Sequence, residues 1–354
     1  MSEKSRFERS VLLVTGGLVV AAVSAAIINP PAGETSVPRA SLEVPRVVVG
    51  IDGRLRLPAG LIRVRGVGTA AESLVGGVSV AALNDGHQAH NMHTSNALNQ
   101  TFERLGYYLD MIKTGEADVP RLFLASLPTD LGQVREPKQR KAIFFKAVLP
   151  LVLEVNDEIL ADRARLKDLR DRLAGGEQLA AVDRLWLIVL AERYKVKRGD
   201  LKSLAARVDI IPPSLALAQA AEESGWGTSR FVREGNAIFG EWTFAASKGI
   251  VPRGRDIGKT HRVRRFDSLL DSVRAYARNL NTHRAYRGLR AERRRMRAQD
   301  EDLRGRLLAA TLSSYSARGA GYVSTIRTIM NINKLNHLDG ARLSESRPAR
   351  ESVI

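Results

Sequence analysis

Two adjacent glutamates, Glu222 and Glu223, are the residues of this sequence best placed to do chemistry. They close the alanine-rich run "LALAQAAEES", in which Leu, Ala and Gln give a high helix propensity. A helix C-terminus carries partial negative charge, so a carboxylate there is disfavoured by roughly 0.3–1 kcal/mol and a lysine or arginine is expected instead. A carboxyl group that faces a cleft from this position could hold its proton above the usual pKa and act as a general acid.

Signals at both ends define the helix that carries these glutamates. Pro212 and Pro213 fit a first helical turn, and Ser214 can cap it. Gly225 and Gly227 supply the backbone freedom that ends a helix. Successive residues lie about 100° apart around a helix, so the two glutamates face different directions. The pattern therefore predicts one carboxylate in solvent and the other in a cleft.

The composition sets the limits within which this chemistry must operate. The chain has 354 residues, a formal net charge of +17 and no cysteine, and 44% of its residues are hydrophobic. This length allows two domains, and this hydrophobic content is enough for a packed core. The lack of cysteine excludes structural disulfides, thiolate catalysis and thiolate zinc sites. The basic excess indicates a polyanionic or membrane-facing environment, such as nucleic acid, anionic lipid or a bacterial cell wall.

The N-terminus has the pattern of a membrane anchor or signal peptide. Lys4, Arg6 and Arg9 precede residues 11–28, which carry no charge. That apolar length is near the minimum for a membrane-spanning helix and long for a signal peptide. Positive charge before the segment predicts that the N-terminus stays in the cytoplasm and that the rest is exported. We favour an uncleaved anchor over cleavage after Ala26.

The sequence divides into five segments. They are a signal anchor or signal peptide (1–28), a linker and membrane-proximal segment with short strands (29–100), a helical extension (101–200), a second helical segment (201–338) and a flexible polar tail (339–354). Asp52-Gly53 is a hairpin signal within the second segment. Between residues 236 and 266, glycines and a proline separate polar positions, which predicts a loop followed by a β-hairpin.

The stretch "AQAAEESGWGTSRF…GNAIFGEWTF" resembles the glucosaminidase domain of glycoside hydrolase family 73, in particular its Bax-like branch. "FDSLLDSVRAYARNLNTHRAY" and "YSARGAGYVSTIRTIMNINKL" resemble later parts of the same domain. The resemblance implies a mainly α, lysozyme-like α+β fold, in which a helix brings a glutamate to the floor of a groove and a small β-hairpin forms one wall. Residues 201–338 would be the catalytic domain. It also implies cleavage of β-1,4 glycosidic bonds in peptidoglycan, on the N-acetylglucosamine side.

The resemblance assigns the catalytic acid to Glu223, directly before "SGWG". Glu222 falls where the family often has an apolar residue, so we interpret it as a solvated surface carboxylate. Glycosidic cleavage also needs charge stabilisation or water activation on the other face of the sugar. Asp256, the one acid between Glu241 and Asp267, is the candidate base, and Glu241 is the weaker alternative. Family members with a hairpin glutamate have no clear counterpart in this chain.

The remaining candidate site residues are aromatic or carry an amide. Tyr315 and Tyr322 resemble cleft tyrosines that position substrate or assist the developing charge, and we count Tyr315 with the catalytic candidates. Aromatic faces and amide groups suit N-acetyl sugars, and the residues expected to line the groove are Trp226, Asn236, Phe239 and Trp242.

Two other functions compete with a glucosaminidase. A lytic transglycosylase shares the fold and the single acid but needs no water-activating base. A non-catalytic wall-binding or scaffolding protein is the alternative from another class, and the presence of Glu223 argues against it. The expected partners are peptidoglycan strands and, through the N-terminal helix, the bacterial inner membrane. The protein would be anchored on the periplasmic side of this membrane, or exported if the signal is cleaved.

Other clusters are set aside at this point. His87, His90 and His93 superficially suggest a metal site, but we interpret them as loop histidines and expect no metal and no organic cofactor. The arginine-rich run 287–297 lacks the interleaved aromatics of a nucleic-acid site. We expect it to contact anionic wall polymers or lipid headgroups, or to be a solvated helix face. The sequence does not indicate an oligomeric state.

Overall fold

The computed structural model describes residues 48–49, 55–56, 94–243, 245, 249–253, 258 and 260–345. The chain forms two compact units, Met1–Val64 and Arg65–Ile354. In the first unit, strand β1 (Val48–Val49) pairs antiparallel with β2 (Leu55–Arg56). These strands flank the Asp52-Gly53 pair at which the sequence predicts a hairpin.

The second unit is mainly helical and carries one small sheet, so the predicted α+β class is confirmed. Its helices are α1 (Ser95–Arg104), α2 (Leu109–Thr114), α3 (Pro137–Ala174), α4 (Ala181–Arg193), α5 (Leu201–Arg207), α6 (Pro213–Ser224), α7 (Arg230–Gly235), α8 (Leu269–Thr282), α9 (Arg287–Ala298), α10 (Gly305–Ala309) and α11 (Ala320–Ile332). Its strands are β3 (Trp242–Thr243), β4 (Gly249–Ile250) and β5 (Arg262–Arg264). Short 3-10 turns lie at Leu131–Gln133, Arg284–Tyr286 and Leu335–Leu338.

The sheet has three strands where the sequence predicts a two-stranded hairpin. Its order is β3-β5-β4, with all pairs antiparallel, and Val263 of the central strand lies opposite both Trp242 and Ile250. The additional strand comes from the aromatic segment predicted as loop. Tryptophan and threonine both favour strands, and β3 pairs with the edge of β5 that a hairpin alone would leave open.

Helix α6 lies at the centre of the second unit. All of its residues are buried except Glu222 and Glu223, which are half-buried at its end. It contacts the long helix α3 as well as α10 and α11. Because α3 belongs to the predicted extension (101–200) and α6 to the predicted catalytic segment (201–338), the two segments share one hydrophobic core. The core therefore fixes α6 from several sides and presents its C-terminal end.

The N-terminus of α6 is capped by a residue from the far end of the chain. The sequence predicts Ser214 as the cap, but the N-cap position is Pro212, which makes no side-chain cap bond. Instead the backbone N–H of Ser214 donates to Asp339 Oδ1 at 2.8 Å, and its hydroxyl donates to Asp339 Oδ2 at 2.9 Å. The Gly305 N–H donates to the same carboxylate at 3.1 Å. One carboxylate thus joins the starts of α6 and α10.

The first residues of the predicted flexible tail (339–354) are hydrogen-bonded to the rest of the chain. Val119 N–H donates to the Arg342 carbonyl, and Ser344 N–H donates to the Val119 carbonyl, each at 2.8 Å. Leu343 between them is buried. Residues 339–345 are therefore part of the packed unit, and residues 346–354 lie outside the described residues.

Part of the arginine-rich run holds the core together, which differs from the expected wall contact or solvated face. Arg293 of α9 is fully buried. Its Nη1 donates to the carbonyls of Asp209 (2.9 Å) and Ile210 (2.8 Å), and its Nη2 donates to Asn281 Oδ1 at 2.6 Å. Three fixed bonds of this kind suit the planar guanidinium fork. Arg295 lies two residues further along α9, on the opposite side of the helix, and pairs at the surface with Glu292.

The predicted membrane anchor, residues 11–28, lies outside the described residues and stays a prediction. Within the described part of the chain, no helix has both the length and the apolar character needed to cross a bilayer.

Candidate active site

A turn of left-handed residues ends α6 directly after Glu223. Gly225, Trp226 and Gly227 have φ values of 56°, 60° and 78°. Glycine adopts this conformation readily, whereas a side chain there costs roughly 1–2 kcal/mol. Trp226 is therefore a strained, partly buried residue, and strain of this kind is concentrated at functional sites. The "GWG" of the sequence is explained by this backbone path.

Side-chain and backbone hydrogen bonds hold the turn in place. The Ser224 hydroxyl donates to the Ala220 carbonyl at 2.6 Å and accepts from Gly227 N–H at 2.8 Å. Trp226 N–H donates to the Ala221 carbonyl at 2.9 Å. A Cβ at Gly227 would lie 2.6 Å from Leu127 Cδ1, so the turn also packs closely on the core. The last turn of α6, which carries Glu223, is thus rigidly positioned.

The surroundings of Glu223 favour its protonated form. Burial is the largest influence and raises the pKa of the Glu223 carboxyl. A hydrogen bond from Tyr322 lowers this pKa, the charge of Glu222 raises it and the charge of Arg318 lowers it, with a net increase. A raised pKa keeps a carboxyl protonated closer to neutral pH, which a general acid requires.

Glu222 has a partner, in contrast to the solvated carboxylate expected from the sequence. Arg318 Nη2 lies 2.5 Å from Glu222 Oε1, and the Glu222 side chain is 25% exposed. The same guanidinium lies 5.5 Å from the centroid of the Tyr322 ring. Glu222 therefore holds Arg318 beside the ring of Tyr322, the phenol next to Glu223.

A chain of buried hydrogen bonds runs from Tyr322, the phenol whose hydrogen bonding lowers the pKa of Glu223, into the core. Gln219 Nε2 donates to the Tyr322 hydroxyl at 2.9 Å. Tyr276 donates from its hydroxyl to Gln219 Oε1 at 2.7 Å. Phe239 stacks on the Tyr276 ring, with centroids 3.8 Å apart and planes 8° apart. Phe239, predicted to line the groove, is thus buried and packs on Tyr276, the residue that hydrogen-bonds to Gln219.

Further tyrosines surround the same carboxyl group. Tyr315 stacks on Tyr322 with centroids 5.3 Å apart, and Tyr286 lies 5.8 Å from Tyr315. Burial raises the pKa of the Tyr315 and Tyr286 phenols, and the charge of Glu223 adds to the effect at both. The structure therefore brings both predicted tyrosines, Tyr315 and Tyr322, to Glu223.

Trp226 lies against the helical extension. Its ring makes edge contacts with Phe144 (6.1 Å) and Phe145 (5.3 Å) of α3, and Lys141 Nζ lies 4.7 Å from its centroid. These contacts anchor the strained turn to α3. A role of Trp226 in substrate binding stays a prediction.

Asn236 and Trp242 occupy different surroundings. Asn236 ends α7 in the left-handed conformation, and its Nδ2 donates to the carbonyls of Phe266 (3.3 Å) and Asp267 (3.4 Å). Trp242, on β3, is 68% exposed and stacks on His261 with centroids 4.4 Å apart. An exposed, pre-oriented indole ring is suited to contact a sugar face, whereas the amide of Asn236 is already used within the fold.

Of the two candidates for the second catalytic carboxylate, Asp256 and Glu241, the structure describes Glu241. Asp256 lies outside the described residues. Glu241 Oε2 is 3.6 Å from Arg264 Nη1, and the buried Glu241 Oε1 has no hydrogen-bond partner in the part of the chain that the structure describes. Burial raises the pKa of Glu241, against the opposing charges of Arg264 and Arg278. Both Glu223 and Glu241 add to the raised pKa of Tyr286, so this phenol is within electrostatic reach of the two carboxylates.

Sequence reasoning missed Gln219, Tyr276 and Arg318. A signal was available for the first, because Gln219 precedes Glu223 by one helical turn and is a polar residue on an otherwise apolar stretch of α6. Arg318 likewise precedes Tyr322 by four residues. No local signal connects Tyr276, which comes from α8, to the glutamate.

No metal centre is evident in the described residues, since they contain no group of three or more His, Asp or Glu side chains able to hold an ion. His87, His90 and His93 lie outside them. The described side chains around Glu223 offer phenols, an amide and a guanidinium.

A mainly helical α+β fold in which a half-buried glutamate with a raised pKa ends a buried helix is compatible with a glycosidase. In agreement, residues 199–335 match the glucosaminidase family model, described as mannosyl-glycoprotein endo-beta-N-acetylglucosaminidase. The chain is 36% identical to Protein bax of Escherichia coli (strain K12) over 204 residues, which cover 56% of this chain and 71% of that protein. No solved structure shows a significant match.

The chain belongs to the Bax-like family of glucosaminidase-domain proteins. The matched segment contains α6, the three-stranded sheet, and the tyrosines and Gln219 around Glu223. A glycosidase-type function related to peptidoglycan follows from the family.

Proposed function

We propose that this protein cleaves β-1,4 glycosidic bonds of peptidoglycan on the N-acetylglucosamine side, with Glu223 as the general acid. One observation carries the proposal: Glu223 is a half-buried carboxyl with a raised pKa, held at the end of a fixed helix. A structural carboxylate in a fold is normally paired with a cation, as Glu222 is with Arg318. Glu223 instead has a neutral phenol as its hydrogen-bond donor.

The proposed proton transfer depends on two influences on Glu223, its burial and its hydrogen bonding with the Tyr322 phenol. Burial keeps the proton on the carboxyl until a substrate binds, and the proton then passes to the glycosidic oxygen as the bond to the anomeric carbon breaks. This transfer leaves a carboxylate, which the hydroxyl of Tyr322 can stabilise by donating its hydrogen bond. Removal of water by the surrounding tyrosine rings strengthens this interaction.

The second half of the reaction distinguishes two enzymes. A hydrolase needs a group that activates water, for which Asp256 and Glu241 are the candidates. A lytic transglycosylase needs none, and we keep it as the second candidate because Glu241 Oε1 is buried and Oε2 lies beside Arg264. A carboxylate in that state is poorly placed to accept a proton from water.

Digestion of purified peptidoglycan by the full-length chain tests the proposal. Released fragments would be analysed by mass spectrometry for the wild type, for Glu223→Gln and for the control Glu234→Gln, which changes an exposed acid paired with Arg230. We expect reducing N-acetylglucosamine ends from the wild type and the control, and a loss of at least about 100-fold with Glu223→Gln.

Each alternative outcome has a definite meaning. Anhydro-muramic ends that depend on Glu223 would assign the protein as a transglycosylase. If folded wild-type protein releases no product, or if Glu223→Gln retains full activity, the proposed catalytic role is wrong. Binding of the insoluble wall without cleavage would favour the scaffolding protein.

We also propose that the activity is located on the periplasmic side of the bacterial inner membrane. The support is the sequence pattern of Lys4, Arg6 and Arg9 before the uncharged residues 11–28. Protease added to intact spheroplasts should digest the chain after residue 28. Full protection until the membrane is lysed would place it on the other side.

A further inference from the structure

The hydrogen bond from Tyr322 to Glu223 depends on how the proton of one hydroxyl is directed. A phenol has a single proton to donate, and its oxygen can accept as well. Tyr322 can therefore give its proton either to the Glu223 carboxyl or to a neighbouring acceptor. The neighbour on its other side is the carboxamide of Gln219, 2.9 Å away.

The carboxamide can present either of two faces to Tyr322. With Nε2 towards Tyr322, the amide donates, the phenol oxygen accepts, and the phenol proton is left for Glu223. With the amide reversed, Oε1 would take the phenol proton, and Glu223 would lose its donor. The direction of this one amide thus decides whether Glu223 is hydrogen-bonded.

Tyr276 selects the first of these two orientations. Its hydroxyl donates to Gln219 Oε1 at 2.7 Å, which fixes the oxygen on the side away from Tyr322. Stacking of Phe239 on Tyr276 at 3.8 Å holds the ring in place. Gln219, Tyr276 and Tyr322 are at most 1% exposed, so bulk water is excluded from replacing a partner. A broken bond in this interior costs more than one at the surface.

We propose that Gln219 and Tyr276 are positioning residues that direct the hydroxyl proton of Tyr322 to the carboxyl group of Glu223. The proposal deepens the proposed function, since it rests on Glu223 being the proton donor. It assigns the two interior residues a functional role beyond packing. It also gives a reason for a glutamine in the otherwise apolar body of α6.

The proposal concerns the acid strength of Glu223 and must account for every group that faces it. Those groups are Glu222 from α6, Arg318 and Tyr315 from the segment before α11, Tyr322 from α11, Tyr276 from α8 and Tyr286 from the 3-10 turn after α8. The substitutions below change none of the charged groups in this set. A change in titration would therefore be due to the hydrogen bonds.

The test is a direct titration of Glu223 by carboxyl 13C NMR, in full-length protein labelled at glutamate. The Glu223→Gln spectrum assigns the signal. Tyr322→Phe should raise the pKa of Glu223 by about one unit, a tenfold change in proton affinity, because the carboxylate loses its donor. Gln219→Met, which keeps the length of the side chain, should shift the pKa in the same direction. The double variant should shift it no further than Tyr322→Phe alone.

Two further variants complete the experiment. Tyr276→Phe removes one oxygen, frees the amide to reverse, and should also raise the pKa of Glu223; it serves if Gln219→Met fails to fold. Tyr107→Phe is the matched control, because the buried Tyr107 hydroxyl has no hydrogen-bond partner among the described residues and belongs to another part of the core. The control should leave the titration unchanged.

The proposal is overturned if folded Gln219→Met or Tyr276→Phe leaves the pKa of Glu223 unchanged. It is also overturned if the shifts of Gln219→Met and Tyr322→Phe simply add in the double variant, since the two would then act independently. The titration requires no substrate. Failure to cleave peptidoglycan would thus count against the proposed function, and an unchanged titration against the positioning roles.

Discussion

The carboxylate of Asp339 receives both the backbone N–H and the hydroxyl of Ser214, at 2.8 and 2.9 Å. These residues are 125 positions apart, yet together they form the start of the helix that ends at Glu223. A free helix N-terminus has unpaired N–H groups, and a carboxylate there satisfies them and interacts favourably with the helix dipole. The C-terminal part of the chain thus completes the start of the helix that carries Glu223.

We expect Asp339→Ala to lower the free energy of unfolding by about 2 kcal/mol, because it leaves the N–H groups of Ser214 and Gly305 without this acceptor in a buried setting. Urea denaturation followed by circular dichroism measures the change. Asp110→Ala removes an exposed aspartate whose ion pair among the described residues is with Lys113, and should change stability by less than about 0.5 kcal/mol. Equal effects of the two substitutions would show that the cap is unimportant.

Gly227 illustrates two separate constraints, the backbone conformation and the space for a side chain. Gly227→Ala would place a Cβ 2.6 Å from Leu127 and 2.9 Å from Phe144. Gly176 has a similar φ of 81° but no atom near its Cβ position, so Gly176→Ala measures the conformational cost alone. We expect roughly 1 kcal/mol for Gly176→Ala and about 3 kcal/mol or more for Gly227→Ala, measured by denaturant unfolding. Similar losses at both sites would contradict the tight packing of the turn.

Arg293 is expected to contribute strongly to stability because its guanidinium is buried and makes three hydrogen bonds. Burial lowers its pKa to about 10, the mark of an unfavourable environment for a charge that the bonds must offset. Arg293→Lys retains the charge but cannot reproduce the planar fork, and should lower the unfolding free energy by about 3 kcal/mol. Arg295→Lys on the same helix is the control, since its exposed pair with Glu292 can persist. A loss below about 1 kcal/mol at Arg293 would refute this role.

The sequence predicts those features that depend on neighbouring residues. Alanine, leucine and glutamine in the body of α6, prolines at its start and Gly225 at its end gave the helix and the position of the glutamates. The same reasoning placed the cap on Ser214, because the true cap, Asp339, is distant in sequence. The arginine-rich run 287–297 predicts a wall-contacting or solvated face, since a run of like charges does not show that one member, Arg293, faces the core.

For the candidate site too, the sequence predicts the residues of the motif but not the contacts that depend on the tertiary fold. The motif around Glu223 predicts a candidate acid, and the structure places the two predicted tyrosines, Tyr315 and Tyr322, near this carboxyl group. The partner of Glu222 was missed, because the pairing with Arg318 spans two elements that only the tertiary fold brings together. Strand β3 was missed because a strand of two residues carries too little periodicity to be recognised.

The pairing of Glu222 with Arg318 leads to a prediction about pH. The negative charge of Glu222 raises the pKa of Glu223, and the positive charge of the paired Arg318 lowers it. Glu222→Gln removes the first influence and leaves that of Arg318 in place, so the pKa of Glu223 should fall. A general acid works only while protonated, so activity is lost as the pH rises through this pKa.

The alkaline limb of the profile of kcat/KM against pH should therefore move to lower pH in Glu222→Gln, by a few tenths of a unit for a partly exposed pair. Glu234→Gln should leave the profile unchanged, and a shift of the Glu222→Gln limb to higher pH would contradict the electrostatic role assigned to Glu222.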